Sequence, residues 1–349
     1  MGARAFACLL LQLSAASSAY TVTTIVGDGS GGSSDGTGTN ARLAQPRSGI
    51  VATASVVYVA DTGNHKIRKI TLSTGAITTL AGTGMSGSSD GVGTTTAQFN
   101  QPWGLALRGE RLYVSDQQNR KIRYIDLAND NVYTVAGSGD FGSADGVGTA
   151  ATFDEPKDIV LSSDESYLYV AMGDRIRQIE VSGYTVTTPV ALTGLSNIAG
   201  LAISATNLYY CTGVSAHSVY SYSFSTTQVT TLAGRGSAAG PSQGWDFNAD
   251  GVGTNAGFAY PEAVTLSSDG TKLFVADTSN YLIRQIEIST STVTTLAGYF
   301  SWAKATGSAI VDNDGTLARF NSPSGLYATS SYVYIADKNN NAVRRVRTQ

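Results

Sequence analysis

The stretch "YVADTGNHKIRKI", Tyr58 to Ile70, is an aromatic-led strand ending at Asp61, a polar Gly/Asn turn, and a second strand carrying Arg68 between Ile67 and Ile70. It returns as "YVSDQQNRKIRYI" from Tyr113, "FVADTSNYLIRQI" from Phe274 and "YIADKNNNAVRRV" from Tyr334, with two divergent copies, "YVAMGDRIRQI" from Tyr169 and "YYCTGVSAHSVYSYS" from Tyr209. The leading aromatics are spaced 55, 56, 40, 65 and 60 residues apart. A period of this size constrains the fold more than any other feature, because each unit must bury its faces against its neighbours.

Each repeat holds four short strand signals. In the first they are "SGIVA", "VVYVA", "KIRKI" and "AITTLAG", runs rich in Val, Ile, Thr and Tyr separated by turn residues, which predicts a four-stranded antiparallel meander. No segment shows a sustained helical period. Small twisted sheets repeating at this interval pack radially, so the expected fold is an all-β, six-bladed β-propeller of four-stranded blades. The blades are expected at about residues 41–82, 97–137, 151–192, 196–234, 256–298 and 318–349 of one domain spanning 20–349. The sixth repeat lacks a fourth strand, and "TVTTIVG" from Thr21 matches the missing element, so residues 20–27 are expected to supply the outer strand of the last blade and close the ring.

The repeat, preceded by Pro-x-Gly-Leu/Ile, resembles the NHL repeat, the unit of a family of mostly six-bladed propellers. The resemblance covers nearly all of residues 20–349. It departs from the family pattern in repeats three and four, where Met172 and Thr212 replace the strand-end Asp and Tyr220 stands in place of Arg. It implies the fold and no single function, since the family includes binding scaffolds, RNA-binding domains and a metal-dependent lyase.

Residues 1–19 read as a secretory signal peptide: Arg4, an apolar core from Ala5 to Leu13, and Ser17-Ser18-Ala19 before Tyr20. The expected location is extracellular. A core of nine residues is too short for a membrane span. Without residues 1–19 the chain carries 22 basic and 26 acidic residues, which argues against nucleic acid as a partner. Cys211 is then the one cysteine left, so no internal disulfide is expected, and its repeat equivalents are Ala or Ser, which places it in the core.

Asp61, Asp116, Asp277 and Asp337 recur with Arg68, Arg123, Arg284 and Arg344 seven residues later, and Arg177 stands at the same place in repeat three. One active site does not need such recurrence, so these residues are expected to cap turns and form ion pairs. His65 and His217 are the only histidines, both in turns, and cannot build the zinc site of the family's lyases.

Three groups are candidates for ligand binding. Long fourth-to-first connections carry "SDGTGTNARLAQP" from Ser34 and its relatives, expected on one face together with the second-to-third turns. Their Asp-Gly pairs read as turns over Phe99, Phe153, Phe258 and Phe320, with calcium as the alternative at "DNDG", Asp312 and Asp314. Two enlarged connections hold Trp245 and Phe247, and Tyr299, Phe300 and Trp302, aromatic anchors for a protein or glycan partner. Residues beside the prolines that open the first strands should ring the channel mouth: Arg47, Trp103, Lys157 with Asp158, Glu262 and Ser324. The reading is a secreted, non-catalytic binding scaffold without a cofactor. The alternative is a lactonase-like hydrolase or lyase with one divalent ion held by Asp158 and Glu262.

Overall fold

The computed structural model describes residues 20–191, 197–214, 216–236, 247–300 and 310–348. Six antiparallel sheets are arranged as the blades of a propeller around a channel, with short 3-10 turns and no α-helix among the described residues. No helix there is long and apolar enough to cross a membrane. In the first blade the strands run from the channel outward as Ile50–Ala52, Val56–Asp61, Lys66–Thr71 and Ala76–Ala81. Alternation along them turns Val57, Val59, Ile67, Ile70 and Ile77 into the interfaces with neighbouring blades, where all are buried. Cys211 is fully buried on a second strand, and burial pushes its thiol up to about 12.

Four of the six sheets have five strands rather than the expected four. The additional strand is a pair of residues from the long connection itself: Gly36–Thr37, Gly91–Val92, Gly146–Val147 and Gly251–Val252 each lie against the start of an outer strand. The sixth blade has the same cover as a single bridge, Thr21 opposite Asp314. These connections therefore do not stand free on one face, as the sequence suggested. They fold over the outer edges of the blades, satisfying backbone groups that an edge strand would leave open. The fourth blade is the exception. Its outer strand, Val229–Ala233, has no covering strand among the described residues, and Val229, Thr230 and Thr231 are exposed.

The same connections clasp neighbouring blades. Gly27 N–H donates to Gly38 O at 3.1 Å and Gly38 N–H to Gly75 O at 3.0 Å, so one glycine links the end of one outer strand to the start of the next. Gly148 does this between Gly137 and Tyr184, Gly253 between Gly234 and Ser291, and Gly315 between Gly298 and Tyr20. At Gly137, with φ of +99°, a Cβ would sit 2.4 Å from the Arg120 carbonyl oxygen, which excludes any other residue.

The segment Val22–Val26 lies antiparallel to Ala342–Arg347, with Val22 opposite Val346 and Val26 opposite Val343, as the outermost named strand of the last blade. Thr24 donates to Asp312 through both its N–H and its hydroxyl, at 2.8 Å each.

Candidate functional site

The recurring Asp and Arg form a buried network instead of a site. Arg68 is fully buried, with Nη1 2.8 Å from Asp61 Oδ2 and Nη2 2.7 Å from Asp35 Oδ1. Asp61 does not cap the turn backbone as expected. It accepts from Ala44 N–H at 2.7 Å and from the Asn64 amide at 2.8 Å. Arg123, Arg284 and Arg344 repeat the pattern with Asp116, Asp277 and Asp337 and with the connection acids Asp90, Asp250 and Asp312. Four of these guanidinium groups also lie over an aromatic ring: Arg123 over Phe99 at 5.3 Å, Arg177 over Phe153 at 5.1 Å, Arg284 over Phe258 at 5.4 Å and Arg344 over Phe320 at 4.6 Å. The connection acids reach one further partner, a threonine of the outer strand: Thr79, Thr134, Thr188, Thr295 or Thr24.

The acids of the calcium alternative have protein partners of their own. Asp312 is held by Arg344 and Thr24, and Asp314 by Thr21, so both carboxylates serve the blade junction. In the third blade Met172 takes the place of the acid, its sulfur accepting Asp154 N–H at 3.0 Å, and Arg177 keeps Asp145 alone at 2.9 Å. In the fourth, Tyr220 stacks on Tyr210 at 5.1 Å where the ion pair would be. Neither histidine is a free turn residue: Nδ1 of His65 accepts Gln101 N–H and Nδ1 of His217 accepts Tyr260 N–H, each at 3.1 Å and each across a blade boundary.

The channel mouth is where unlike chemistry converges. In every blade but the fourth the inner strand begins beside a proline, so the next side chain points at the axis. Arg47 lies over the Trp103 indole at 4.3 Å, and Lys157 is 6.0 Å from the same ring. Glu262 Oε1 is 4.0 Å from Lys338 Nζ. Lys157 donates to Asn197. Burial holds Arg47, Lys157 and Lys338 below their ordinary values, and Glu262 partly offsets this for all three. Trp103 Nε1 and Glu262 Oε2 are buried without a hydrogen-bond partner. Ser324 faces inward but donates to Pro46 O at 3.1 Å.

The expected mouth is thus assembled from Arg47, Trp103, Lys157 and Glu262, but its balance is cationic. Asp158 is not part of it: it turns into the channel below, fully buried, and accepts Leu201 N–H at 2.8 Å. Glu262 and Asp158 gain no third carboxylate, histidine or cysteine, since no such cluster occurs among the described residues. Sequence reasoning missed Lys338, which follows a strand-end Asp in a turn. Its equivalents Thr62 and Thr278 donate to the carbonyl oxygens of Pro102 and Pro323, and a lysine in that place was the available signal.

The aromatic connections are less complete. Phe247 contributes its carbonyl oxygen to Asn280 at 2.8 Å. Tyr299 is half exposed, with Arg319 5.7 Å from its ring. Phe300 lies beside it in chain order, and Trp245 and Trp302 fall outside the described residues.

The sequence matches no family model. It is 28% identical over 329 residues to human NHL repeat-containing protein 2, a match covering 82% of this chain and 44% of that protein. The chain is a six-bladed β-propeller whose repeats are similar to those of NHL repeat-containing proteins. The propeller is also similar in structure to a Bacteroides thetaiotaomicron protein of unknown function, with a TM-score of 0.73, 19% identity and coverage of 94% of this chain and 76% of the other. An auxiliary nutrient binding protein from Bacteroides ovatus gives a TM-score of 0.69 at 15% identity, over 94% of this chain and 76% of the other. A gluconolactonase from Xanthomonas campestris gives 0.57 at 12%, over 87% and 86%. At these identities the structural likeness is one of fold.

Proposed function

We propose that this propeller is a secreted binding scaffold, and that it holds a protein or glycan ligand by an anionic group at the channel mouth. The observation that carries the reading is the gathering of Arg47, Lys157 and Lys338 around one carboxylate, Glu262, and one indole, Trp103, all partly buried. Partly desolvated cations bind an anion more strongly than solvated ones. The unpartnered Trp103 Nε1 adds a donor, and the indole offers a flat apolar surface. A divalent ion at Glu262 would face three cations, which makes the hydrolase alternative the poorer fit. Tyr299, half exposed in the connection between the fifth and sixth blades, is a second candidate anchor for such a ligand. The signal-peptide pattern of residues 1–19 supports an extracellular location, and the nutrient-binding description of a structural neighbour agrees with a binding role.

Binding of the full-length secreted chain to arrayed acidic and neutral glycans and acidic peptides tests this. Preference for acidic ligands, reduced at least tenfold in Lys157→Gln and Lys338→Gln with melting temperature retained, is the expected result. Equal binding of neutral ligands, or affinity unchanged in both variants, would overturn it. Lactone turnover that requires added metal and disappears in Glu262→Ala would favour the enzyme instead.

A further inference from the structure

Below the mouth, the inner strands of neighbouring blades press backbone against backbone at one level of the channel. Gly49, Gly104, Gly200 and Gly325 stand there, and a Cβ on any of them would lie between 2.4 and 2.6 Å from an atom of the next blade. The fifth blade has Ala263 at this level. The third has Asp158, two residues after its proline as Gly104 is after Pro102. A carboxylate therefore occupies a place where packing otherwise admits hydrogen or methyl.

Asp158 accepts Leu201 N–H at 2.8 Å and Ile159 N–H at 3.1 Å. No lysine or arginine compensates it among the described residues, and burial pushes the carboxyl up to about 7. The Ser48 hydroxyl, 5% exposed, faces Asp158 without reaching hydrogen-bond geometry and has no other partner. Beyond these two groups the channel widens into a cavity of about 360 Å³. Its walls come from the later positions of the inner strands, including Leu105, Leu107, Leu161, Ile203, Leu266 and Leu326. It opens toward the face of the short hairpins, where Glu165 at its rim lies 3.5 Å from Arg108.

We propose that this cavity binds a small amphiphilic ammonium compound, its charged nitrogen against Asp158 and Ser48 and its hydrocarbon or aromatic body against the leucine and isoleucine walls. A buried carboxylate with spare lone pairs and no cation is stabilised by a charged donor. Ser162, Ser163, Glu165, Thr265 and Tyr327 also line the cavity, so the body of the ligand gains by leaving water where it lies along the leucine and isoleucine side chains. An anion is repelled there, and an alcohol forms the hydrogen bond without neutralising the charge. The tie to Leu201 alone needs only an acceptor, which an asparagine supplies as well as an aspartate. This site lies below the mouth, opens at the other end of the channel and does not depend on the ligand proposed at the mouth.

Isothermal titration of the full-length protein with hexylamine, hexanol and hexanoate at equal concentration tests the proposal. Hexylamine is expected to bind at least tenfold more tightly than hexanol, and hexanoate not at all. Asp158→Asn should lower hexylamine affinity at least tenfold while keeping the melting temperature within a few degrees. Leu266→Trp, which fills the cavity away from the carboxyl, should abolish binding of both amine and alcohol. Equal affinity for amine and alcohol, no binding of the amine to the wild-type protein, or undiminished amine binding in a folded Asp158→Asn variant would each overturn it. The head-group series on the wild-type protein decides even if neither variant folds.

Discussion

His65 Nδ1 accepts the backbone N–H of Gln101 from the next blade at 3.1 Å. His217 does the same for Tyr260, and in the last blade Asn341 Oδ1 takes Gln45 N–H at 2.9 Å. A protonated imidazole cannot accept there, and burial holds both histidines below their ordinary value of 6.5. Because the folded value lies below the unfolded one, the stability these latches contribute is present above about pH 6.5 and is lost as pH falls through the folded values. Asparagine makes the same bond without titrating. The double variant His65→Asn, His217→Asn should match the wild type at pH 8 and exceed it at pH 5 by about 1 kcal/mol per latch, measured by urea unfolding. Identical pH profiles would show that the imidazoles do not act as acceptors.

The two carboxylates on Arg68 should differ in weight. Asp61 is fully buried, while the Asp35 side chain is 51% exposed. Asp61→Ala strands a buried guanidinium and should cost roughly 3–5 kcal/mol. Asp35→Ala should cost about 1 kcal/mol, since water replaces much of what is lost. Urea unfolding of the two variants gives the comparison, and equal losses would contradict the burial argument.

Deleting residues 20–27 removes the strand beside Ala342–Arg347 together with both Thr24 bonds to Asp312. A loss of several kcal/mol is expected, a large share of the stability of a typical domain. Thr24→Val, which removes one hydroxyl bond, should cost about 1 kcal/mol. A melting temperature unmoved by the deletion would mean that the ring does not need this strand.

The uncovered fourth blade should be the most labile. Peptides covering Val229–Ala233 are expected to exchange amide hydrogens at least tenfold faster than those covering Ala76–Ala81, which Gly36–Thr37 protects. Hydrogen exchange followed by mass spectrometry measures this. Equal protection would imply that another segment shields the edge.

Recurrence made the hairpin and its Asp61–Arg68 pair legible, because both partners sit within one repeat and reappear together. The second acid was not legible. Asp35 lies 33 residues before Arg68, in a segment whose own pattern reads as an Asp-Gly turn, and its carboxylate is shared with Thr79 of a third element. The covering strands escaped notice for a related reason: two residues such as Gly36 and Thr37 carry no periodicity to detect. At the channel, proline position grouped Arg47, Trp103, Lys157 and Glu262, whereas Lys338 enters from a turn that the inner-strand pattern does not include. Asp158 was placed among the mouth residues, although it occupies the level where other blades carry glycine. That depth depends on how adjacent blades press together, which no single repeat records.

The pairing of Val22 with Val346 joins residues separated by almost the whole chain. During synthesis, at about 5–20 residues per second, the first of these leaves the ribosome long before the second exists. Until then the early strand waits unpaired, exposing both its β-branched face and its backbone donors, and the contact that finishes the last sheet carries nearly the highest loop-closure entropy the chain can impose. Completion of the ring is thus a late, slow event in the life of each molecule, and the interval before it is when a chaperone or a second nascent chain has its opportunity to bind.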